Sequence, residues 1–217
     1  LEEYDTDVMT GDRDKRRYLY YQLIHSMRKA DRIDIIVSFL MESGVKMLLE
    51  ELKKAMKRGA QVRILTGNYL GITQPSALYL IKHELGELVD LRFYNERNRS
   101  FHPKSYIFHY ADHSEIYIGS SNISRSALTS GIEWNYRFSS HRDPENYEKF
   151  YRTFEDLFQN HSIVIDDEEL KRYSKTWHRP AASKDLDRYD NVEEEEDTKV
   201  RLLFEPRGAQ IEALCAL

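Results

Sequence analysis

Short apolar runs alternate along the chain with amphipathic stretches of helical period. Tyr18, Tyr21, Leu23, Ile24 and Met27 form a stripe that predicts a helix over residues 14–30. Residues 32–40 (RIDIIVSFL) are almost continuously apolar, the mark of a central strand covered on both faces. Ser43 stands where a helix cap belongs. Val45, Leu48, Leu49, Leu52 and Met56 then share one face as far as Arg58, and Gly59 closes the helix. Residues 61–66 (QVRILT) predict a second strand followed by a loop at 67–71, and Pro75 opens a helix that runs to Leu85 and stops at Gly86. Residues 89–94 supply a third strand. Strand–helix–strand–helix–strand predicts an α/β protein with a mixed, largely parallel central sheet.

The pattern then changes. Residues 104–109 and 114–119 read as two strands joined by a tight turn, so they pair as a hairpin. A short helix follows Ser124. Residues 131–138 predict a strand with Ile132, Trp134, Tyr136 and Phe138 on an apolar face and Glu133, Asn135 and Arg137 opposite. Asp143-Pro144-Glu145 starts a helix reaching Gln159, with Tyr147, Phe150, Tyr151, Phe154 and Phe158 inward. Residues 163–165 are extended, and the acidic opening at Asp166 suits the start of a last short helix to Ser174.

Composition narrows the class. The chain has 217 residues, 41% of them hydrophobic, enough for one α/β core. Its single cysteine, Cys215, excludes a disulfide framework and a cysteine zinc site, and points to a reducing, cytoplasmic setting. No run of 18 apolar residues predicts a membrane span, and the N-terminus lacks the apolar core of a signal peptide. The chain starts at Leu1, so an upstream portion is expected. The net charge of −5 resides entirely in residues 183–199, which hold eight acids against three bases. The remainder is neutral and can carry a basic groove.

Three polar signals in strand-like surroundings carry the chemistry. The first is His102-Pro103-Lys104. Side chains two apart on a strand share a face, so an imidazole and an ammonium point together. The imidazole can attack or protonate near neutral pH, while the cation stabilises charge on phosphoryl oxygens. The second is Gly119-Ser120-Ser121-Asn122. Gly119 allows close backbone approach, and Ser120 and Asn122 offer donors to an anion or a ring nitrogen. The third is Glu133, whose carboxylate can hold the second nitrogen of a histidine. Read singly, these are a common dipeptide spacing, a polar turn and a solvent-facing acid.

Together they resemble the phospholipase D superfamily, whose signature is His-x-Lys followed by Gly-Ser-x-Asn, and most closely its nuclease branch, where a Glu follows at about this interval. The likeness covers roughly residues 15–160. It implies an α/β/α sandwich and a metal-independent phosphodiesterase working through a phosphohistidine, with His102, Lys104, Ser120, Asn122 and Glu133 as catalytic residues and no cofactor or metal. The family's Asp five residues after the Lys is His109 here, an odd offset from His102 that turns it away from the site. None of the other seven histidines has a lysine two residues on. The covalent route uses two imidazoles, so a two-fold homodimer presenting His102 from each subunit is expected, and the resemblance implies the same.

Arg97 and Arg99, just before His102, and Arg125, after Ser124, are candidate phosphate contacts on nucleic acid, DNA being favoured over RNA. Asn68 and Tyr69 lie on a loop after a strand, where α/β sheets place ligands. Residues 1–179 form the nuclease-like domain and 180–199 an acidic linker. Residues 200–217 (VRLLFEPRGAQIEALCAL) resemble the truncated start of a superfamily II DEAD/DEAH-type helicase, the expected fused partner. No P-loop pattern is present. The alternatives are a nucleic-acid-binding module that targets the helicase with little catalysis, and a lipid phosphodiesterase, for which no membrane-facing stretch speaks.

Overall fold

The computed structural model describes residues 6–12, 18–96, 98–181, 186, 188 and 189. Eight strands form one mixed sheet: β1 (Val8–Met9), β2 (Arg32–Val37), β3 (Gln61–Thr66), β4 (Val89–Tyr94), β5 (Lys104–His109), β6 (Ser114–Gly119), β7 (Asn135–Ser139) and β8 (Ser162–Val164). Their spatial order is β1-β7-β6-β5-β2-β3-β4-β8. Helices α1 (Leu19–Met27), α2 (Glu42–Lys57), α3 (Pro75–Leu85), α4 (Arg125–Thr129) and α6 (Asp167–Thr176) lie toward one face, and α5 (Pro144–Asn160) lies on the other.

The α/β class and the strand order along the chain match the sequence expectation. The balance of the sheet does not: only β2–β3 and β3–β4 are parallel, and the other five pairings are antiparallel. The βαβ crossovers end at β4. Beyond it, β5 and β6 form a hairpin, β7 follows through a loop carrying α4 and β8 through α5, and each enters antiparallel to its neighbour.

The period-2 pattern sorts the core. Ile33, Ile35, Val37, Val62, Ile64, Tyr106 and Phe108 face the α1–α4 layer, while Ile36, Leu65, Ile107, Ile116 and Phe138 face α5 with Phe154 and Phe158. Asp143 and Asp166 cap α5 and α6 by accepting from Asn146 N and Glu169 N. Ser43 is not the cap of α2. The helix begins at Glu42, whose amide donates to Gln74 Oε1 at 2.7 Å, and Ser43 Oγ instead accepts from Arg125 N at 3.3 Å. The predicted strand at 131–138 is shorter than expected and starts at Asn135. Its apolar face is largely uncovered: Ile132, Trp134 and Tyr136 are 84%, 72% and 50% exposed. Among the helix α5 aromatics, Phe150 is likewise exposed.

One charged cluster is buried between the sheet and α5. Asp34, fully buried on β2, accepts from Arg63 Nε and Nη2 at 2.6 and 2.8 Å and lies 2.7 Å from His109 Nε2. Arg63 also donates to Glu155, and Tyr151 of the same helix accepts from Arg32. Burial pushes the Asp34 carboxyl up, but hydrogen bonds from Arg63 and His109 prevail and hold it below the usual range. His109 thus points to α5 and away from His102, as its odd offset requires.

A depressed carboxyl stabilises the fold above its unfolded pKa and loses that contribution as pH falls through its folded one. Asp34→Asn should therefore cost about 3 kcal/mol at pH 7, because it leaves Arg63 short of a buried counter-charge. In denaturant titrations the gap to wild type should shrink as pH drops below about 4. Equal stability at pH 7 would contradict this assignment.

Candidate active site

The topology collects the polar signals at one end of the sheet. Strands β2, β3, β4 and β6 finish there, and β5 and β7 begin there. The segments at 38–41, 67–74, 95–103, 120–124 and 131–134 therefore converge, although they span almost a hundred positions of sequence.

Lys104 starts β5 opposite Val37, and only 8% of it is exposed. Its ammonium donates to Ser38 Oγ at 3.1 Å and to the His102 carbonyl at 3.0 Å. It also lies 2.8 Å from Nδ1 and 3.0 Å from Nε2 of the His102 ring. The expected imidazole–ammonium pair is formed, with the lysine buried and the histidine exposed. Removal from water lowers the pKa of His102, and the Lys104 charge lowers it further. Burial lowers that of Lys104, with Glu133 acting through space in the opposite direction. Among the described residues no carboxylate makes an ion-pair contact with this ammonium. A buried cation without a counter-ion is costly unless an anion can reach it.

Gly119 has the close approach its type suggested: a Cβ there would meet Trp134 O at 2.1 Å. Ser120 is exposed, and its Oγ donates to Glu133 while its amide donates to Trp134 O at 3.0 Å. Ser121 is buried and packs the turn inward, accepting from Asn135 Nδ2 at 2.8 Å. Asn122 is 5% exposed. Its Oδ1 accepts from the amides of Ser38 and Phe39 at 3.0 and 3.2 Å, so Nδ2 is the donor it can offer an anion. Glu133 departs from expectation: within the chain it holds Ser120, not the second nitrogen of His102. The alternation continues through this segment, with Ile132 and Trp134 exposed, but the β6–β7 pairing sets Ser120 beside Glu133 and the carboxylate closes on it.

Arg99 is exposed on the segment leading to His102, and Arg97 lies outside the described residues. Arg125 opens α4, half-buried, with an Nε that is shielded from solvent and has no partner among the described residues. Two residues join the site that the motif reading left out. Ser38 accepts from Lys104 and donates to Pro103 O at 3.2 Å. It was visible only as one polar position in the apolar run 32–40. Tyr69, on the loop after β3, sets its ring 4.4 Å from that of His102, at an angle of 58°.

Residues 21–161 match a family described as cardiolipin synthase, PLD-like domain. Among solved structures the chain is similar to a phospholipase D family member, Nuc from Salmonella typhimurium, at 20% identity and a TM-score of 0.54, over 72% of this chain and 95% of that one. It is also similar to NucT from Helicobacter pylori, at 14% identity and 0.57, over 73% and 97% of the two chains. A third likeness is to polyphosphate kinase from Porphyromonas gingivalis, at 12% identity and 0.55, over 89% of this chain but 29% of that one. No curated protein matches the chain in sequence. The structural likenesses concern the fold, whereas the family match spans well over half the sequence and includes His102, Lys104, Asn122 and Glu133: the chain belongs to the PLD-like domain family.

Proposed function

We propose that the protein is a phosphodiesterase that cleaves nucleic acid without a metal ion, through a phosphohistidine formed between two copies of the chain. The observation that carries this reading is the buried, carboxylate-free ammonium of Lys104 touching the exposed imidazole of His102. One group invites the phosphate and the other is a nucleophile held neutral, since its pKa lies below the ordinary value.

In the first step a nitrogen of His102 attacks phosphorus, a P–N bond forms, and the P–O bond to the leaving strand breaks. The partner's His102 gives the departing oxygen a proton. In the second step that imidazole takes a proton from water, the hydroxide adds to phosphorus, and the P–N bond breaks to release His102. Lys104 of both copies and Asn122 Nδ2 neutralise the non-bridging oxygens. Ser120, at the rim, becomes a further donor once its hydroxyl turns from Glu133 to a phosphoryl oxygen. Arg99 and the unpartnered Nε of Arg125 support a polyanionic substrate. The exposed apolar residues Ile132 and Trp134, on either side of Glu133, support a second copy seated beside the site, with Tyr136 and Val8 continuing the patch. Beyond this chain's described residues, attachment to a helicase rests on the resemblance of residues 200–217, which lie outside them.

His102→Ala should reduce cleavage of a labelled oligonucleotide by at least about 10³-fold while leaving its binding close to wild type. Cleavage should survive excess chelator, and strict dependence on added Mg²⁺ would overturn the route. Liposomes of anionic phospholipid, run in parallel, should release no headgroup; release there without strand cleavage would transfer the same chemistry to lipid.

The rate against pH should be bell-shaped, because one imidazole must be neutral and the other protonated. Its acid limb should fall below about pH 6.5, the ordinary imidazole value, since His102 is depressed. A profile that rises to a plateau with a single limb would contradict the two-histidine scheme.

Light scattering should give twice the 25.8 kDa chain mass. Trp134→Arg should shift the molecule toward one chain and lower activity in proportion, with activity recovering as protein concentration rises. A fully active monomer would remove the dimer from the account.

A further inference from the structure

His102 is exposed, and among the described residues no carboxylate fixes its ring: Glu133 is taken up by Ser120. Lys104 meets the imidazole along its nitrogen-bearing edge but does not settle the tilt of the ring. The group that meets the ring otherwise is Tyr69, at 4.4 Å and 58°.

Tyr69 sits in a segment that is locally costly and externally fastened. The next residue, Leu70, is the sole non-glycine with positive φ among the described residues (52°), and 63% of it is exposed, so its own burial does not offset the strain. The fastening comes from α6 and the residue after it. The Tyr173 hydroxyl lies 2.8 Å from Asn68 Oδ1 and 2.6 Å from Thr73 O, and Trp177 Nε1 donates to Gly71 O at 2.8 Å. From the other side the loop interlocks with the segment that carries the nucleophile: a Cβ on Gly67 would meet Phe101 Cδ1 at 2.6 Å, one residue before His102. Thr73 Oγ1 ties the far end of the loop to Gly67 O and to Leu40 N, next to the amides that hold Asn122.

We propose that Tyr69 is a positioning residue for His102: its ring confines the imidazole to the orientation from which nitrogen meets phosphorus, and Tyr173 and Trp177 hold Tyr69 in place. The apolar ring face thus does for tilt what a carboxylate does for many catalytic histidines. The proposal rests on the phosphodiesterase reading for its kinetics, but its structural content, one ordered rotamer of His102, is independent of any activity. The ring and not the hydroxyl is the acting part, so phenylalanine should replace it.

The test compares Tyr69→Ala, Tyr69→Phe and Tyr173→Phe in the full chain. A chromogenic bis-aryl phosphodiester gives kcat and KM, and three-bond couplings across χ1 of His102 give its rotamer populations by NMR. Tyr69→Ala should lower kcat by about 10–100-fold, the scale of a misplaced reacting group, with KM changed far less. Its His102 couplings should average over rotamers. Tyr69→Phe should recover both turnover and the single rotamer. Tyr173→Phe should show a smaller loss of the same kind, and none when added to Tyr69→Ala, because both act through one ring. The proposal is overturned if His102 stays in one rotamer in Tyr69→Ala, or if Tyr69→Phe is as impaired as the alanine variant. If wild type cleaves nothing, the phosphodiesterase reading fails, while the couplings still decide whether Tyr69 orders His102.

Discussion

A lysine ammonium taken out of water, with no carboxylate touching it among the described residues, is the constraint around which this end of the molecule is arranged. Lys104 is 8% exposed, and its contacts are the neutral oxygen of Ser38, a backbone carbonyl and an imidazole. Those dipoles solvate the charge in part but do not neutralise it. The site therefore carries a standing attraction for an anion, and the most exposed partner of the cation is the imidazole of His102. Ser38 relays the arrangement to the backbone: it accepts from Lys104 and donates to Pro103 O, so the cation and the turn bearing His102 are fixed together. Asn122 closes the other side by binding the two amides that end β2.

A second charged cluster, at the other end of β5, shows the opposite solution. Asp34, Arg63, Glu155 and His109 pair fully, and they fasten α5 to the sheet. Where the related signature places an Asp, this chain has His109, and the carboxylate comes from the neighbouring strand as Asp34. His109 and Asp34 make an acid–base contact beneath α5, at the end of β5 away from His102. The charges of this cluster are paired with one another, whereas the Lys104 ammonium has no carboxylate contact among the described residues.

Much of this was legible in the sequence because it depends on short-range periodicity. The shared face of His102 and Lys104, the close approach at Gly119, the caps at Asp143 and Asp166, and the outward turn of His109 all follow from spacing along one element. What was missed depends on partners far away in the chain. The sheet is mostly antiparallel because β5, β6, β7 and β8 each enter beside a strand running the other way, which alternation alone does not reveal. Glu133 looked aimed at His102 from its side of the alternation, whereas Ser120, brought beside it by the β6–β7 pairing, takes the carboxylate. Ser43 has the residue type of a cap, yet Gln74 supplies the acceptor instead. Tyr69 reaches His102 only because two loops from different strands interlock through Gly67 and Phe101.

The central claim is that phosphorus is transferred to His102 and then to water. The most direct measurement is a rapid acid-free quench of the protein with an oligonucleotide substrate, followed by denaturation, proteolysis at neutral pH and mass spectrometry of the peptide containing His102. The account predicts an acid-labile adduct on His102, its phosphorus still carrying the retained strand, that forms before product appears in full and decays on standing. Rapid cleavage with an unmodified His102, or with the adduct on another side chain, would contradict it.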